Sequence, residues 1–147
     1  MASLKPARVS RAVGQVALGT ALAFAGTMHL TGAREEFQAQ VPSWFPADPD
    51  VVVLASGVVE IGLGVALLTL WKQPARAWLG ATTAAFFVAI FPGNVAQFVE
   101  GKDGFGLDTD QARLVRLLFQ PFLVVGALAA TDAVGTLRRR RDPASIH

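Results

Sequence analysis

At 147 residues, with 52% hydrophobic and only 16% charged positions, the chain carries more apolar surface than a soluble domain can bury. A spanning helix takes about 20 apolar residues, so four spans with short loops use up the chain and leave no room for a soluble domain. The net charge is only +2, and the absence of cysteine excludes disulfides, thiolate metal sites, iron–sulfur ligation and thiol–disulfide chemistry.

A basic leader, residues 1–11, holds Lys5, Arg8 and Arg11. The first span is expected over about 12–30. Ala23-Phe24-Ala25 imitates a signal-peptide cleavage site. The apolar run exceeds the usual core of about 7–15 residues in such signals, so an uncleaved helix is expected. Gln15, Gly19, Ala23 and Gly26 make a small-residue stripe along it, with His29 at the edge. The loop that follows mixes Phe37, Val41, Trp44 and Phe45 with Pro42, Pro46 and Pro49. A short amphipathic turn is expected over Glu35–Gln40, then an interfacial stretch anchored by Trp44.

The second span is expected over about 51–70. At about 100° per residue, Val53, Ser56, Gly57, Glu60, Gly64 and Leu67 share one face, so Glu60 should point into the bundle beside small residues that admit a neighbouring helix. The third span, about 77–98, contains Pro92 and lines up Thr83, Phe87, Ile90, Asn94 and Gln97. Glu100–Asp110 is rich in glycine and aspartate, but it lacks the ligand order and bidentate glutamate of a calcium loop, so no metal site is expected. The fourth span, about 114–137, contains Pro121; Arg113, Arg116, Gln120, Val124, Ala127 and Thr131 share a face there. Both prolines are tolerated in a membrane helix, where they kink the axis and free a carbonyl. The tail, 138–147, opens on Arg138 to Arg141, a topology anchor near anionic lipid rather than a nucleic-acid patch.

Nine of the 13 lysines and arginines fall in the leader, the turn between spans two and three, and the tail. The acidic residues Glu35, Glu36, Asp48, Asp50, Glu100, Asp103, Asp108 and Asp110 fall in the other two loops. This asymmetry predicts an all-α transmembrane four-helix bundle with both termini cytoplasmic. Counted at a rise of about 1.5 Å per residue, Glu60 lies roughly 13 Å below the outer boundary, Gln120 about 9 Å and Asn94 about 6 Å, with His29 and Arg116 nearer the rim. Taken singly, each has a structural explanation: a hydrogen-bonded neutral acid, a snorkelling arginine, amides that glue helices. Together they form a polar cluster on the outer side of an apolar bundle, and ionisable groups in a bilayer commonly mark a site. The candidate ligand-binding residues are His29, Glu60, Asn94, Gln97, Arg116 and Gln120.

In order along the chain, His29-Leu30, Pro42-Ser43-Trp44-Phe45-Pro46, Ser56-Gly57 with Glu60, Phe91-Pro92-Gly93-Asn94, and Arg116 with Gln120 resemble the DoxX-like family of small four-helix bacterial membrane proteins. The likeness spans about Gly19 to Leu128. Two positions depart from it: Leu30 stands where the family often has phenylalanine, and Leu118 where it often has proline, with Pro121 following Gln120 instead. The resemblance implies a bacterial cytoplasmic (inner) membrane, a redox neighbourhood and association with oxidoreductase subunits. No cofactor is evident in the residues; a quinone is the ligand the resemblance suggests. Three functions are carried forward. The first is a redox-associated subunit that binds a quinone or another lipid-like molecule in an outer-leaflet pocket. The second is a non-catalytic anchor or assembly partner of an oxidoreductase, with membrane lipids and further copies of the chain as companions. The third is an intramembrane isomerase using Glu60 and His29, which the estimated difference in their depths disfavours.

Overall fold

The computed structural model of the chain describes residues 5–142. Residues 1–4 of the leader and 143–147 of the tail, His147 among them, lie outside the described residues. The fold is all-helical: α1 (Pro6–Leu30), α2 (Arg34–Gln38), α3 (Pro49–Thr69), α4 (Ala75–Val99), α5 (Asp110–Ala130) and α6 (Ala133–Arg141). Of these, α1, α3, α4 and α5 are long and apolar enough to cross a membrane, which makes the chain a multi-pass membrane protein.

The spans begin earlier than hydropathy suggests, because their starts are set by backbone chemistry rather than by apolarity. Pro6 and Pro49 occupy first-turn positions where a missing N–H costs nothing. Asp48 accepts from the Asp50 N–H at 2.8 Å, and Thr109 accepts from Ala112 at 3.2 Å, each supplying a cap. The short turn expected over Glu35–Gln40 is α2.

The fourth span differs from its expected bounds of 114–137. It stops at Ala130, and Asp132 adopts a left-handed conformation with φ of 54° before the chain resumes as α6. Aspartate tolerates that region better than most residues. Here its carboxylate is also held by Arg11 at 3.3 Å and Arg139 at 3.1 Å. The arginine run is therefore helical, and Arg11 and Asp132 bring the two ends of the chain together at one end of the bundle.

Packing is uneven. Helix α1 lies tightly along α3 and α4 along α5; α1 also meets α5, while α3 and α4 touch least among the spans in contact. Leu22, Leu63, Leu67, Ala84, Phe87 and Ala127 fill the centre. The α1–α3 crossing is a glycine contact. A Cβ on Gly26 would lie 2.5 Å from the Gly57 carbonyl oxygen, and one on Gly64 2.6 Å from the Ala23 nitrogen. With no water to expel between them, membrane helices gain instead from such close backbone approach.

Candidate functional site

The loop end of the bundle, opposite the chain termini, gathers most of the candidate residues. His29 sits in the last turn of α1 and Glu60 in the middle of α3, yet His29 Nδ1 lies 3.5 Å from Glu60 Oε2. The depth difference expected between them is closed by helix geometry. A Cα–Cβ bond tilts toward its own helix N-terminus. His29, at the C-terminal end of α1, therefore leans down into the bundle, and Glu60 leans up along the antiparallel α3. Gly57 lets this happen, since a Cβ there would lie 2.7 Å from His29 Cβ.

Ser56 Oγ donates to the Val53 carbonyl at 3.0 Å and lies 3.2 Å from His29 Nδ1. A hydroxyl has one proton. With that proton on Val53, the imidazole Nδ1–H is the donor to Ser56. Glu60 Oε2, at 3.5 Å, is too far for a full hydrogen bond. That oxygen is buried and without a hydrogen-bond partner among the described residues.

A cavity of about 250 Å³ opens beside this pair. Its floor is His29, Ser56 and Glu60; its roof is Phe37, Gln40 and Val41 from the loop after α1. Phe37 stands edge-on to the imidazole with centroids 3.5 Å apart, and it meets Phe105 in turn at 4.4 Å. The roof is seated on α4 through Gly93, where a Cβ would come within 2.4 Å of the Gln40 carbonyl oxygen. The mouth lies along the sparse α3–α4 seam, where Trp44, Phe45, Ala89 and Pro92 are exposed. It therefore faces the hydrocarbon side of the helices as well as the loops.

The other four candidates divide. Asn94 and Gln120 form a buried pair: Asn94 Nδ2 donates to Gln120 Oε1 at 3.0 Å, and Gln120 Nε2 donates to the Phe87 carbonyl at 2.9 Å. A carbonyl can only accept, so it orients both amides in turn and leaves Asn94 Oδ1 as an acceptor without a partner among the described residues. Pro92 leaves the neighbouring Val88 carbonyl without its usual i+4 donor. Arg116 is half-buried one turn before Gln120. It makes no hydrogen bond or ion pair among the described residues, and its charge acts on both Glu60 and His29. Gln97 belongs elsewhere: it is buried, with Nε2 3.4 Å from the Lys102 carbonyl, and it serves the second loop rather than the cavity.

Three residues outside the predicted set matter. Gln40 offers a buried amide nitrogen with no partner among the described residues, and Ser56 holds His29. Arg113 is the nearly buried arginine of α5; it binds the Lys102 carbonyl at 3.1 Å, Asp110 at 2.9 Å, and Asp103. The i,i+3 spacing of Asp110 and Arg113 is the one sequence signal that pointed to this clamp.

The two loops are tied to each other. Glu100 accepts from Ser43 at 2.8 Å and pairs with Lys102 at 2.7 Å, Lys102 donates to the Val41 carbonyl at 2.8 Å, and Glu36 accepts from the Phe105 N–H at 2.8 Å. The Lys102 ammonium, then the Ser43 hydroxyl, hold the Glu100 carboxyl below its ordinary value of 4.5. Because the folded-state value is depressed, the tie is complete above that ordinary value and is lost only as pH falls through the lower one. In a side-chain NMR titration Glu100 should protonate below the ordinary range, and Lys102→Ala should move it back up. An unmoved midpoint would show that the ammonium does not hold it.

The terminus end contains a contrasting network. Gln15 is fully buried; its Nε2 donates to the carbonyls of Leu67 at 2.7 Å and Leu70 at 3.1 Å, and its Oε1 accepts from Arg76. Arg76 also donates to the Ala130 carbonyl at 2.7 Å, and Gln73 to that of Thr131 at 2.9 Å. No polar side-chain atom of this network is both buried and unpaired. Among the described residues no cluster of His, Asp and Glu is arranged to hold a metal ion.

The fold and cavity thus define a class: a small polytopic helical-bundle protein with one paired polar lock at the terminus end and one unpaired polar cavity at the loop end. The chain belongs to the family described as Domain of unknown function (DUF8561), whose model matches residues 18–131. No curated protein and no solved structure matches it.

Proposed function

We propose that this is a DoxX-like protein of the bacterial cytoplasmic membrane, a redox-associated subunit that holds the polar head of a quinone or another lipid-like molecule in the loop-end cavity. The observation that carries the reading is the buried, unpartnered Glu60 Oε2 on the floor of a cavity whose mouth lies on the α3–α4 seam. An unpaired polar atom in a membrane interior costs free energy, and a ligand that satisfies it offsets that cost. A volume of about 250 Å³ lies just below the range of about 300–1,000 Å³ for pockets that enclose whole small ligands. It suits a ring-sized head group whose tail runs out along the seam. The charge asymmetry of the loops supports termini in the cytoplasm and a cavity on the outer side. The ordered DoxX-like residues support the redox setting and a companion oxidoreductase.

A photoreactive, radiolabelled short-chain quinone tests this. Wild-type protein in nanodiscs should label saturably. Ala89→Trp at the exposed mouth should lower labelling about tenfold, roughly 1.4 kcal/mol. Equal labelling of the two would remove the cavity reading.

The 3.5 Å approach of His29 to Glu60 favours a second reading, acid–base chemistry on the bound head group by this pair. Its check is solvent-deuterium exchange into the bound ligand. Exchange unchanged in His29→Gln would end it.

A further inference from the structure

Three buried polar atoms have no hydrogen-bond partner among the described residues: the carboxylate oxygen Glu60 Oε2 and Asn94 Oδ1 are acceptors, and Gln40 Nε2 is a donor. Glu60 and Gln40 line the same cavity from floor and roof. His29 Nδ1 stands 3.5 Å from Glu60 Oε2, and its proton goes to Ser56 instead. A ligand seated here therefore meets an oxygen that needs a proton on one side and an N–H that needs a lone pair on the other. Phe37, Trp44 and Phe45 line the space with aromatic rings.

We infer that this cavity selects the hydroxyl-bearing form of its ligand, a lipid-tailed phenol or quinol, over the form that carries only carbonyl or ether oxygens. The inference rests on reading the cavity as a lipid head-group site and names which head group fits. The ligand hydroxyl donates to Glu60 Oε2, and a second oxygen on the ring accepts from Gln40 Nε2. A carbonyl-only head group would set its lone pairs against those of Glu60 and leave that oxygen unpaired. Sites built around a ligand hydroxyl reject analogues lacking it far more strongly than a missing methylene is rejected, because the protein group is left stranded. The positive charge of Arg116 acts on Glu60 from α5 and offsets a negative charge there without occupying the oxygen.

The experiment uses a redox-inert pair that differs only in the donor: a long-chain 4-alkylphenol and its O-methyl ether. Both are titrated calorimetrically into the full chain in nanodiscs, with empty nanodiscs as the blank. The phenol should bind at least about tenfold more tightly than the ether, and Glu60→Gln should shrink that ratio to about threefold or less. Gln40→Leu should leave the ratio above about tenfold, since it removes the roof donor and not the acceptor on the floor. Equal binding of the two probes by wild-type protein would overturn the selectivity while leaving a head-group site standing. Binding of neither would overturn both readings. The wild-type ratio decides the matter even where Glu60→Gln does not fold.

Discussion

Gly64→Val should destabilise the bundle by about 3 kcal/mol, the upper part of the usual overpacking range, while Gly62→Val should stay within about 0.5 kcal/mol of wild type. The two glycines are two residues apart on one helix and differ only in what faces them. A Cβ at Gly64 meets backbone on both sides, the Ala23 nitrogen at 2.6 Å and the Gly19 carbonyl oxygen at 2.7 Å, whereas a Cβ at Gly62 meets nothing within 4 Å. Backbone cannot rotate away as a side chain can, so relief must come from separating α1 from α3. That separation also opens the Gly26–Gly57 crossing two turns away, and with it the approach of His29 to Glu60. Reversible unfolding in mixed micelles, followed by circular dichroism, measures both variants. Indistinguishable stabilities would show that α1 and α3 do not cross at Gly64.

Gln15→Leu should cost about 3 kcal/mol, while Glu60→Gln should leave stability within about 0.5 kcal/mol of wild type or raise it. Removing the Gln15 amide strands the buried Leu67 carbonyl, breaks the half-buried bond to Leu70 at the end of α3, and takes an acceptor from Arg76. A buried group that loses its partner costs roughly 1–3 kcal/mol. Glu60 already has an unpartnered oxygen, so replacing the carboxylate with an amide removes a charge and little bonding. Proteins keep such locally unfavourable groups where they serve a ligand. The reverse outcome, with Glu60→Gln the more damaging, would make the loop-end cluster the structural lock and Gln15 dispensable.

The face of each span was legible because helical phase is a local quantity. Gln15, Gly19, Gly26 and His29 on α1 are buried, as are Val53, Gly57, Glu60, Gly64 and Leu67 on α3. Depth was less legible. Counting residues places Cα atoms, whereas His29 and Glu60 meet through opposite side-chain tilts on antiparallel helices. The two arginines of α5 show a second limit. Arg113 and Arg116 lie on one face, and their roles are divided by the fold of the 100–109 loop, which turns the Lys102 carbonyl and Asp103 toward Arg113 beside Asp110 of its own helix. The same loop takes Gln97 out of the cavity.

The sequence by itself determined an all-helical, four-span membrane protein with a polar cluster among its apolar faces. These follow from hydropathy, periodicity and the cost of charge in lipid, each readable within a single segment. Only the tertiary structure decided that the polar residues form two systems, a paired lock around Gln15 and Arg76 and an unpaired cavity around His29, Ser56, Glu60 and Gln40. The reason is that hydrogen-bond satisfaction belongs to pairs of atoms far apart in the chain. Gln15 and Leu67 are joined across 52 positions, and whether such a bond closes depends on how the helices cross.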